Sequence, residues 1–85
     1  MENNLSIVKD QFKELPNNIE AEQAVIGSLL VNNEIFDEIS TIISGINFYD
    51  PMHQKIFDAV DTLIYKGMLA NPITLKNYFE DEKDD

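Results

Sequence analysis

Few side chains in this chain are able to do chemistry, and their spacing narrows the field further. His53 is the lone histidine and there is no cysteine, so a thiolate zinc site is excluded and an imidazole site would need carboxylates gathered round one ring. The nearest carboxylate, Asp50, is wanted as a helix cap. His53 is therefore expected to be a first-turn structural residue, donating to a local carbonyl or covering the loop. The acid groups Glu20/Glu22, Glu34/Asp37/Glu38 and Asp58/Asp61 could serve acid–base work or cation binding only where burial makes neighbouring carboxylates unequal. They fall on the polar sides of amphipathic helices, which predicts a solvated face. Ser28, Ser40, Ser44, Thr41, Thr62 and Thr74 have no base spaced as a nucleophile's partner. Gly27, Gly45 and Gly67 are isolated and form no phosphate loop. The sequence thus predicts no catalytic, cofactor-binding or metal-binding residue.

Composition points the same way. The 85 residues carry sixteen acids against six lysines, a net charge of −10, and make at most one small domain of marginal stability. The lysines stand apart at 9, 13, 55, 66, 76 and 83, and arginine is absent. Clustered cations and the planar arginine fork are what phosphate and guanine recognition require, so the surface is not expected to bind nucleic acid directly. No run approaches a membrane span and the start MENNLSIVKD is unlike a signal peptide, which makes a cytoplasmic location the default.

The best-specified element is the helix of Asp50–Gly67. Asp50 caps it, Pro51 suits its first position, and Gly67 suits its left-handed end. Met52, Ile56, Phe57, Val60, Leu63 and Ile64 form one apolar face, with Gln54, Asp58, Asp61 and Tyr65 opposite. Before it, Asn17 or Asn18 caps a helix whose buried face is read as Ala21, Ala24, Val25, Ser28, Leu29 and Asn32, widened by Ile26 and Leu30. Gly27 in its middle predicts a close crossing with the Asp50 helix. Asn32-Asn33 then caps a second helix through Ile35, Phe36, Ile39, Ile42 and Ile43, ended by Ser44-Gly45. Ile46, Phe48 and Tyr49 are expected to fold under the next helix.

Asn71 and Pro72 open a last short helix with Leu75, Tyr78 and Phe79 on its apolar side, and EDEKDD follows as a solvated charge run. The predicted fold is all-α, a small orthogonal bundle of four helices over about 18–31, 34–44, 51–66 and 72–80. Residues 1–16 form a flexible arm, 17–80 the helical domain, and 81–85 an acidic tail. Most of the aromatic residues belong to the core, and Tyr65, Leu69, Tyr78 and Phe79 are the candidate partner contacts.

Two longer motifs are specific. The segments LPNNIEAEQAVIGSLLVNNEIFDEI and INFYDPMHQKIFDAV, followed by an L-I-Y-K-G helix end and T-L-K-N-Y-F, resemble the N-terminal domain of the bacterial replicative DNA helicase of the DnaB type, from about Leu15 to Phe79. The resemblance implies an all-helical, non-catalytic domain that pairs into dimers, joins a collar on a hexameric ring, and contacts primase and the helicase loader. Its partners would be itself, as a homodimer, or the full-length helicase. In that family further helices, a helical hairpin, a linker and a RecA-like motor follow, so ATP and Mg would belong to the motor and not to these residues. The acidic run standing in place of that continuation suggests a natural end. Charge alone supports a reading of another class: an independent acidic binding protein, an inhibitor or DNA mimic whose carboxylates imitate a phosphate row for a basic target.

Overall fold

Four helices joined by two single turns of 3-10 helix make up the computed structural model, which describes residues 18–83. The N-terminal arm and the last two residues of the acidic tail lie outside the described residues. We number the helices α1 (Ile19–Val31), α2 (Phe36–Ser40), α3 (Pro51–Tyr65) and α4 (Pro72–Lys83), with the 3-10 turns at Asn33–Ile35 and Gly45–Asn47. No strand occurs among the described residues.

Three of the four helices begin at a residue able to supply the missing acceptor, and α2, preceded by Ile35, has no side-chain cap. The Asn18 side chain accepts from the Ala21 amide at 3.0 Å, and Asp50 accepts from the Met52 amide at 2.8 Å with Pro51 behind it. Asn71 accepts from the Ile73 and Thr74 amides, both at 2.9 Å. At the other end of α3, Gly67 takes a φ of +78°. The Gly67 amide donates to the Ile64 carbonyl and the Met68 amide to the Leu63 carbonyl, which is the paired bonding that closes a helix through a left-handed residue.

The core lies where α1, α3 and the 3-10 turn of Gly45–Asn47 meet, with α4 packed on α3 and adding Leu75 to the same core. Phe57 sits at its centre, its ring 5.4 Å from that of Phe36 and 5.1 Å from that of Phe48. Val25, Leu29, Ile39, Val60 and Leu63 complete the packing.

Several sequence expectations require correction. Ala24, Gly27, Ser28 and Asn32 are exposed, and α1 buries Ala21, Glu22, Val25, Ile26 and Leu29 instead. A Cβ on Gly27 would meet nothing within 4 Å, so no helix crosses there. The close approach is at Gly45, which is buried and where a Cβ would run into the Asp58 carboxyl group of α3. The second helix is shorter than 34–44. It ends at Ser40, where the Ser40 and Thr41 hydroxyls turn back to the Asp37 and Glu38 carbonyls, a competition with the helix ladder typical of these residues. Phe48 folds under α3 as expected, but Ile46 and Tyr49 are exposed, and so is Met52. Helix α4 runs on to Lys83, three residues past its predicted end.

A buried carboxylate and a clamped loop as the candidate functional site

Glu22 is the most unusual residue in the fold. It lies in the first turn of α1 with only 1% of its surface exposed. Burying a carboxylate is costly unless its lone pairs are met by donors, and three donors converge on this one. The Tyr49 amide donates to Oε2 at 2.6 Å, the Asp50 amide to Oε1 at 3.3 Å, and the His53 ring meets Oε1 through Nδ1 at 2.7 Å. A carboxylate only accepts, so Nδ1 carries the proton of this bond. The Phe48 ring stands edge-on to the imidazole, with centroids 6.3 Å apart.

This arrangement ties α1 to the start of α3. The segment it holds is fastened twice more: the Gln54 side chain donates to the Phe48 carbonyl at 2.7 Å, and Asn47 Oδ1 accepts from the Ser44 amide at 2.8 Å. No buried side-chain nitrogen or oxygen among the described residues lacks a partner. A carboxylate and an imidazole in contact can in principle move a proton. Here, however, Glu22 is closed off and spends its acceptor capacity on backbone amides, as a structural tie does.

A second polar tie secures the opposite end. Asn33 Nδ2 donates to the Leu29 carbonyl at 2.7 Å and to the Ala70 carbonyl at 2.9 Å, while Oδ1 accepts from the Ala70 amide at 2.8 Å. One amide side chain thus satisfies both backbone groups of Ala70, as a neighbouring strand would. The segment between α3 and α4 is fixed by Gly67 at one end and Asn33 at the other.

His53 stands in the first turn of α3, where the sequence places it, but its partner is a carboxylate 31 positions away and not a local carbonyl. Glu22 was misplaced on a solvated face. Among the described residues no group of acids and histidine could hold a metal ion, and no helix is long and apolar enough to cross a membrane.

Residues 14–85 match the family model described as the DnaB-like helicase N terminal domain. The chain belongs to that family. Over 63 residues it is 44% identical to the replicative DNA helicase DnaB of Rickettsia typhi, a stretch that is 74% of this chain and 13% of that protein. Over 77 residues it is 40% identical to the replicative DNA helicase DnaB of Buchnera aphidicola subsp. Baizongia pistaciae, 91% of this chain and 17% of that protein. The chain therefore spans a small part of the length of these relatives. No solved structure matches it.

On this DnaB-like domain the four candidate contact residues do not form one patch. Tyr65 is 90% exposed and Leu69 64% exposed. Tyr78 and Phe79 are half-buried against the core, their rings edge to face with centroids 5.5 Å apart. Tyr78 and Phe79 line a groove with Lys55, Asp58, Ala59 and Glu82, whereas Leu69 lines a separate cleft with Ile64 and Met68. Val31, Ile46 and Ile73 are further large apolar residues left in solvent.

Proposed function

We propose that the chain acts in the cytoplasm as a non-catalytic interaction and assembly module of a replicative DNA helicase. Its contacts would be with other helicase chains, with primase or with the helicase loader. The observation that carries this reading is the family match across the whole helical domain. Two features of the fold support it. The buried polar groups are spent on holding backbone in place. Large side chains such as Tyr65, Ile46 and Leu69 stand in solvent on backbone that is fixed, and exposed apolar side chains on a rigid frame are the usual anchors of protein–protein contact.

The test is co-elution of the purified chain with a full-length replicative helicase of this type and, separately, with its primase. Association with at least one, together with no ATP hydrolysis and no DNA affinity by the chain alone at physiological salt, is the expected result. Association with neither, alongside tight capture by an unrelated basic protein, would favour the independent acidic binder instead. Turnover of ATP by the chain itself would overturn both.

A further inference from the structure

The cleft beside the clamped loop differs from its neighbours in charge. It has a volume of about 440 Å³ and is lined by Asn33, Glu34, Asp37, Ile64, Met68 and Leu69. Its floor is apolar and in part solvent-exposed, since Met68 and Leu69 are both open to water. Its rim is acidic. The neighbouring grooves each set a lysine beside their acids, Lys55 with Asp58 and Glu82 in one and Lys66 with Asp81 in the other. No lysine lines this one, and neither Glu34 nor Asp37 makes an ion pair among the described residues.

Rigidity is the second part of the argument. Met68 is held at its amide by the Leu63 carbonyl, and Ala70 is held on both backbone groups by Asn33. Leu69 is therefore fixed in water between two ties and has no freedom to fold away. Asn33 also begins the 3-10 turn that carries Glu34, and the Glu34 amide is itself bonded to Asn32 Oδ1 at 3.1 Å. The polar clamp that orders the apolar floor thus also sets the acidic rim beside it. A preformed apolar floor costs little entropy to cover, and the methionine can adapt to the shape of an incoming side chain.

We propose that this cleft is a docking site for a basic amphipathic segment of a partner protein, an apolar anchor side chain entering over Ile64, Met68 and Leu69 while flanking lysine or arginine residues meet Glu34 and Asp37. The proposal names the partner's chemistry and rests on the reading of the chain as an interaction module. A second copy of this chain is a poor occupant, because its net charge of −10 would bring more carboxylates to an acidic rim.

The test uses the full chain, isotope-labelled for amide spectra. It is titrated at physiological salt with a synthetic helical peptide of about four turns, leucine on one face and lysine on the other. A second peptide carries glutamate in place of lysine. Amide shifts confined to residues 33–37 and 64–70 are expected with the first peptide and none with the second. Glu34→Gln/Asp37→Asn should weaken binding roughly fivefold. Glu20→Lys changes the net charge equally but lies about 20 Å away along α1, beyond the screening length, and should weaken it less than about twofold. Leu69→Ser, at an exposed position, should abolish saturable binding without lowering the melting temperature.

Shifts spread over the whole surface, equal effects of the two charge changes, or binding of the glutamate peptide would each overturn the proposal in favour of a diffuse acidic field. The helicase reading fails separately. Peptide binding at the cleft without capture of helicase or primase removes that reading and leaves the site, while capture without peptide binding at the cleft removes the site and leaves the reading.

Discussion

Replacing Glu22 tests the central structural argument most directly. Glu22→Ala removes the acceptor of the Tyr49 amide, the Asp50 amide and the His53 ring. Tyr49 is exposed and Asp50 half-buried, so water can reach the two amides once the carboxylate is gone, and each costs about 0.5–1 kcal/mol. The His53 ring is buried, and loss of its bond to a charged partner costs about 1.5–3 kcal/mol. The sum is about 2.5–5 kcal/mol, a large share of what a domain of this size has to lose. At roughly 4–8 °C per kcal/mol the melting temperature should fall by about 10–40 °C.

Glu22→Gln keeps an oxygen at the Oε2 position for the Tyr49 amide and places an NH₂ group at the Oε1 position, which the imidazole can accept by moving its own proton to Nε2, while the Asp50 amide loses its acceptor to water. It should cost only about 1 kcal/mol, or ~4–8 °C. Thermal melts followed by circular dichroism supply the stability scale, and amide hydrogen exchange at Tyr49 and Asp50 locates the damage. Equal destabilisation by Ala and Gln would show that the charge, and not the geometry of acceptance, holds the loop. An alanine variant melting within about 2 °C of the parent would refute the reasoning altogether.

Gly27→Ala should raise stability by about 1 kcal/mol, visible as a higher melting temperature, because the position is helical and a Cβ there meets nothing within 4 Å. Gly67→Ala should lower it by about 1–2 kcal/mol, since any L side chain is strained at a φ of +78°. Asn33→Ala should cost about 1–3 kcal/mol by orphaning both backbone groups of Ala70. Its signature is accelerated amide exchange at Ala70 exceeding that in α1, and uniform acceleration would count against a local clamp.

How far the sequence could be read depends on which forces set each element. Helix starts at Asn18, Asp50 and Asn71, and the stop at Gly67, were legible because capping is local chemistry with few suitable residue types. The face of α1 was misjudged because Glu22 was counted as a solvent residue. Counted instead with Ile26 and Leu29, four and seven positions on, it falls in the apolar stripe. His53 stands in the same relation to Phe57 and Val60 of α3. A charged residue and a histidine, each extending an apolar stripe by one turn toward the helix start, was the available sign that the two meet.

Gly27 failed for the opposite reason. A glycine inside a helix suggests a crossing, but the close packing needed by α3 was met at Gly45 in the connection, which no helical pattern covers. The Asn33 clamp had no sequence signature, because an asparagine after a helix reads equally well as a cap. The separation of Leu69 from Tyr78 and Phe79 onto different clefts was not legible either, because it depends on the loop that Asn33 fixes.

The two polar ties also decide how the domain can come apart. One joins residue 22 to residues 49, 50 and 53, the other residue 33 to residue 70. Along the chain these spans interleave, each enclosing one end of the other. Helix α1 carries the first and adjoins the second, so pulling it away breaks both together and opens the core with them. Helix α4 lies beyond both and is held by its packing on α3. Among the described residues, partial opening is therefore expected to begin at the C-terminal helix, with both ties and the core around them giving way together in a later step, an order that amide hydrogen exchange would show.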